Sequence, residues 1–169
     1  MANGTQKRGE QQMVAPAEAD GWPAEVDLLV QSLRFASLLN RPMLDGVALP
    51  QGLNLNELRV LMSLGGEGQA AGHALAAVMA MSPMNVSRAL ASLHARGWIS
   101  EGSDEGNRRR KPYHLNEVGW AAYRAMTPQV GKVADFIFST LSPAELSALT
   151  RIMEKLNAQV GSWPEGKSR

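Results

Sequence analysis

The sequence predicts a mainly α fold interrupted by one small β-hairpin, and three observations carry that expectation. Apolar residues recur at helical spacing over most of 23–160. Helix start signals appear at Asn54 with Glu57, at Ser82-Pro83, and at Ser142-Pro143 with Glu145. A single stretch, 98–115, sets two short strand-like arms around a Gly/Asp/Asn-rich tip.

Taken in order, residues 1–22 are polar, rich in Gly, Ala and Gln, and read as a flexible arm. From Pro23, Val26, Leu29, Val30, Leu33 and Ser37 keep helical spacing, with Leu28, Phe35 and Leu38 widening the apolar face. Pro42 is expected to stop this helix, leaving "LDGVALPQG" as a loop. "NLNELRVLMSLGG" opens on an Asx form of the capping box, Asn54 and Glu57, and is expected to end at its Gly pair. A short helix, "AAGHALAAVMA", follows. Then "MSPMNVSRALASLHARG" has Ser82 as N-cap, Pro83 in the first helical position and Gly97 as its stop.

Trp98-Ile99 and Tyr113-His114-Leu115 form the hairpin arms. Asn116 caps a helix over about 117–141, expected to bend near Pro128. Ser142-Pro143-Ala144-Glu145 is a full capping box, and its helix lines up Leu146, Leu149, Ile152, Met153, Leu156 and Val160. Trp163-Pro164 ends it. The resulting division is an arm over 1–22, a helix over 23–45, a central unit over 52–122, further helices over 123–162 and a tail over 163–169.

Composition excludes several classes. With no cysteine there is no disulfide framework, thiolate metal site or thiol redox switch. No apolar run approaches the roughly 20 residues a bilayer span needs, and no signal segment opens the chain, so the cytoplasm is the default compartment and no membrane partner is expected. Net charge is only +1, but its distribution is uneven. Between 82 and 111 lie Arg88, Arg96, Arg108, Arg109, Arg110 and Lys111 against Glu101, Asp104 and Glu105, a local net of +3. Focused positive charge suits a phosphate-bearing partner. A solvated loop carries such a run too.

Two short helices, a tight turn, a third helix capped by Ser-Pro and a cationic hairpin make a winged helix-turn-helix. A helix entering the major groove offers its first two turns to base edges, so those turns should be polar or small outward and apolar inward. Val86, Leu90 and Leu93 form the inward stripe. Pro83, Met84, Asn85, Ser87, Arg88 and Ser92 form the outward set. Asn pairs with adenine and Arg with guanine, while Ser82 and the helix N-terminus suit phosphate. At the hairpin tip no acid follows Arg108, Arg109, Arg110 and Lys111 closely enough to neutralise them. Such a wing meets the DNA backbone and a narrow minor groove. The expected DNA contacts are therefore Ser82, Pro83, Met84, Asn85, Ser87, Arg88, Arg108, Arg109, Arg110 and Lys111.

The same stretch resembles the recognition helix and wing of the MarR family of transcriptional regulators. Ser87-Arg88, Leu93, Gly97-Trp98-Ile99, Asp104, Arg109, Leu115 and Gly119 carry the likeness, and "LSPAEL" at 141–146 extends it. It covers about 25–160. Asn107 stands where the family usually has an Asp that braces the wing arginine, and Asn116 replaces the usual Thr. The resemblance implies a two-fold homodimer built from the N- and C-terminal helices, with each recognition helix and wing on one half-site of double-stranded DNA. The wide apolar faces of 26–40 and 143–160 point the same way, because an isologous interface buries such faces. Packing within one chain would also cover them.

The resemblance further implies a small-molecule effector lodged between the dimerisation helices and the winged unit. Arg34, Arg41 and Arg59 could receive an anion there and Met43, Met62 and Met79 could line an adaptable pocket, although solvation and core filling serve the same residues. The leading expectation is a dimeric, ligand-responsive repressor. A winged-helix protein-interaction module is the alternative, since fold alone never fixes function. For an enzyme the sequence offers nothing. His73, His94 and His114 lack metal-ligand spacing, no nucleophile or phosphate-loop motif occurs, and neither cofactor nor metal is called for.

Overall fold

The computed structural model describes residues 22–102 and 111–163. The arm up to residue 21, the hairpin tip over 103–110 and the tail beyond 163 lie outside the described residues. The chain divides into two units, one ending at Leu38 and one beginning at Leu39.

The first unit holds most of α1, Ala24–Met43. Glu25 and Asp27 in its first turn and Arg41 in its last complement the helix dipole. α1 ends one residue past Pro42, but the chain does not then leave a helical path as expected. The chain goes on as a π turn, Leu44–Ala48, where the Leu49 N–H reaches the Leu44 carbonyl, and a 3-10 turn, Leu49–Gln51. Gly52, at φ 64°, ends it. Helical turns therefore replace the expected loop, because Val47 and Ala48 are wholly buried and their backbone groups need local partners.

In α2, Leu55–Glu67, both halves of the Asn54–Glu57 box form. Asn54 Oδ1 accepts from the Glu57 N–H at 3.0 Å, and the Glu57 carboxylate accepts from the Asn54 N–H at 2.8 Å. That bond explains how Glu57 can be buried among apolar neighbours. The Gly65-Gly66 pair does not end α2. Gly65 is small because the Tyr123 ring lies where a Cβ would go, and the helix closes at Gly68 instead, at φ 82°.

A strand then appears that the sequence did not announce: β1, Gln69–Ala71. It leads into α3, Gly72–Val78, and then α4, Pro83–Ala95. The expected hairpin arms are β2, Ile99–Glu101, and β3, Pro112–Leu115. Together they form a three-stranded antiparallel sheet in the order β1-β3-β2, with Ala70 opposite Tyr113 and Ile99 opposite Leu115.

Two helices complete the described chain. Asn116 caps α5, Glu117–Phe138, accepting from the Gly119 N–H at 3.0 Å. The helix ends three residues before the expected 141 and contains Pro128. Ser142 caps α6, Pro143–Gly161, in a complete capping box.

The core lies where α2, α4, the sheet and the start of α5 meet. Leu58, Leu61, Leu64, Leu75, Val86, Leu93, Ile99, Leu115 and Met126 are all nearly inaccessible. Each such side chain contributes roughly 1.5–3 kcal/mol by leaving water. Met43, Met62 and Met79 pack against this cluster as fillers. Among the described residues no helix is long and apolar enough to cross a membrane.

Candidate nucleic-acid interface

Helix α4 owes its start to Ser82, whose Oγ accepts from the Asn85 N–H at 3.2 Å, and to Pro83, whose fixed φ suits a first helical residue. The preceding turn is tight. Ala80 takes φ 48°, the one non-glycine residue with positive φ among those described, and this reverses the chain between α3 and α4. At the far end Gly97, at φ 70°, sends the chain into β2.

The two faces of α4 divide as the spacing requires. Val86, Ala89, Leu90 and Leu93 are buried against the core, whereas Ser82, Pro83, Met84, Asn85, Ser87 and Arg88 are exposed and Ser92 is half-buried. The first two turns thus offer an amide, a guanidinium, a hydroxyl and a thioether to solvent.

Of the described cations between 82 and 111, two are engaged within the chain. Arg96 donates to the Gly52 carbonyl at 2.6 Å and lies 5.5 Å from the Trp98 ring centre, so it ties α4 to the turn before α2. Lys111 Nζ lies 2.7 Å from Glu101 Oε2 across the base of the hairpin. The acid that pairs with Lys111 precedes the cationic run in sequence. Arg108, Arg109 and Arg110 lie outside the described residues, as do Asp104 and Asn107.

A cleft of about 890 Å³ runs between α3, α4 and the hairpin base, with His73, Ser87, His94, Glu101, Lys111 and Tyr113 on its walls. Two of the three histidines therefore share one cleft, while His114 sits in β3 opposite Gln69. Among the described residues no three His, Asp or Glu side chains cluster closely enough to hold a metal ion. Two of the three candidate anion receivers are engaged locally: Arg59 donates to Asn40 Oδ1 at 2.7 Å, and Arg41 pairs with Asp45 at 3.4 Å. A small apolar cavity of about 70 Å³ opens between Met62, Tyr123, Met126, Thr127 and Val130.

A buried-backed helix with a polar leading end, a tight turn before it and a sheet-based hairpin after it define a winged helix-turn-helix protein. Comparison with known proteins narrows the class. Residues 51–110 match the model of the MarR family. No curated protein shows a significant match to the sequence. Among solved structures, a MarR-family transcriptional regulator from Silicibacter pomeroyi is 22% identical with a TM-score of 0.70, covering 80% of this chain and 91% of its own. BpsR of Bordetella bronchiseptica, whose DNA binding is regulated by 6-hydroxynicotinic acid, is 21% identical with a TM-score of 0.64, over 78% of this chain and 98% of its own. A mutant MarR from E. coli complexed with operator DNA is 18% identical with a TM-score of 0.63, over 78% and 95%. At these identities the likeness establishes the fold.

Proposed function

We propose that this chain is a dimeric, sequence-specific DNA-binding transcriptional regulator, a ligand-responsive repressor of the MarR type. The observation that carries the reading is the leading end of α4. Six residues in sequence, broken only by buried Val86, stand exposed beside a hairpin that leads into three arginines. Asn85 and Arg88 read base edges in the major groove, Ser82, Ser87 and the helix N-terminus meet phosphate, and Pro83 and Met84 add apolar contact. Arg108, Arg109 and Arg110 enter the minor groove or meet its flanking phosphates.

The dimer is supported by α6, none of whose residues is buried. Ile152, Met153 and Leu156 are each about half exposed, and Val160 is 72% exposed, on one stripe. Leu28, Leu29 and Leu33 of α1 are likewise exposed. Twin copies that bury these faces form a two-fold axis and set two recognition helices on a pseudo-palindromic operator. In this reading 23–45 and 123–162 are the dimerisation segments and 52–122 the DNA-binding unit. The structural neighbour BpsR, with DNA binding regulated by 6-hydroxynicotinic acid, supports a small-molecule effector for this chain too.

Anisotropy titrations against an operator and against random duplex DNA test the reading. Arg88→Ala should cost roughly 1–3 kcal/mol on the operator and relax its specificity. Arg109→Ala should weaken both titrations alike and reduce the salt slope by about 1. If both variants bind as the parent does, these assignments are wrong. If the parent ignores DNA in dilute salt, the chain is an interaction module instead.

A further inference from the structure

We propose that Glu101 sets the charge of the wing, holding Lys111 in an internal ion pair and so withholding it from DNA phosphate. The proposal rests on the DNA-binding reading above and refines it, dividing the four-cation run Arg108–Lys111 into arginines that serve binding and a lysine that is silenced.

The geometry behind it is local. Glu101 ends β2 opposite Tyr113 of β3, and Lys111 stands two residues before Tyr113, diagonal to the carboxylate. Their charged atoms are 2.7 Å apart. The Gly102 N–H donates to the Pro112 carbonyl at 2.7 Å, which holds the two arms in register at this rung. Lys111 also precedes Pro112, and a residue before proline is confined to extended backbone, so the lysine leaves the strand in a restricted direction. The pair is half exposed, at 49% for the lysine side chain and 41% for the glutamate, and it faces the cleft that α4 shares with the hairpin.

Its charge state is secure near neutrality. Lys111 holds the Glu101 carboxyl below the usual carboxylate range, first by its hydrogen bond and then by its charge, and His94 and Tyr113 act in the same direction. Glu101 in turn raises Lys111 above the usual lysine range. A phosphate approaching this rung therefore meets a pair with no net charge. To recruit Lys111 it must displace a carboxylate already in contact.

The test is a double-variant cycle on the full chain, read as the slope of log K against log salt for a labelled random-sequence duplex. Glu101→Gln frees the lysine and should steepen the slope by about 0.9 for each wing that gains a phosphate contact. Lys111→Gln should leave the parent's slope unchanged, and the double variant should return to it. The proposal is overturned if Glu101→Gln leaves the slope as it was, or if Lys111→Gln lowers it equally in both backgrounds. A parent chain that binds no duplex even in dilute salt overturns the DNA-binding reading itself. That result is distinct, because none of the four proteins would then titrate.

Discussion

Gly119 shows how a single position can hold the wing to the body of the protein. Its N–H caps α5 by donating to Asn116 Oδ1 at 3.0 Å, while the Trp98 backbone passes so close that a Cβ would collide with the Trp98 carbonyl. Asn116 fastens the same junction from the other side. Its N–H donates to Trp98 O at 3.2 Å, and its side-chain amide donates to the Gly97 carbonyl at 2.9 Å. Because the obstacle is backbone, it cannot rotate away. Gly119→Ala should destabilise the fold by about 3 kcal/mol, at the upper end of overpacking costs, as read from urea unfolding. A loss under 1 kcal/mol would contradict so close an approach of the Trp98 backbone. From sequence, Gly119 stood out only as a place of family resemblance; the close approach that requires it comes from a residue 21 positions earlier. Glu101 was hidden for the same reason, since pairing across a hairpin depends on register.

Helix ends were the most legible elements, because capping is chemistry between near neighbours. The boxes at Asn54 and Ser142 and the cap at Ser82 form as their spacing implies. At α6 the Glu145 carboxylate accepts from the Ser142 N–H at 2.8 Å and from its hydroxyl at 2.7 Å. Ser142→Ala should cost about 1 kcal/mol. These bonds, the hydroxyl's first, hold the Glu145 carboxyl below the usual carboxylate range. A lowered folded-state pKa stabilises above the unfolded value, and the benefit is lost as pH falls through the folded value. The difference in melting temperature between the parent and Glu145→Gln should therefore be present at neutral pH and fade on acidification; a difference independent of pH would contradict the assignment.

Elements that depend on distant partners were harder to read. Gln69-Ala70-Ala71 has little strand propensity and exists as β1 because β3 supplies its partners. The Gly65-Gly66 pair looks like a helix stop, but Tyr123 of α5 packs on Gly65 and α2 closes only at Gly68. Pro42 looks like a break, yet burial of Val47 and Ala48 carries the helical path onward.

For the whole molecule, the apolar excess is the feature that asks for a partner. The α6 stripe recurs at helical spacing and remains exposed in the single chain. Light scattering should give twice the 18.2 kDa chain mass. Leu156→Glu, which sets a charge amid the stripe, should shift the population to monomer and weaken operator binding far more than random-duplex binding, because a dimer links two half-sites at high effective concentration. A chain that is monomeric before substitution would remove the two-fold arrangement.

The central claim is that paired α4 helices read adjacent turns of one face of a duplex. Selection of bound sites from a random DNA pool tests it most directly. The expected product is an inverted repeat whose half-sites are centred about 10 bp apart. Enrichment of a single unrepeated site, or of none, would contradict it.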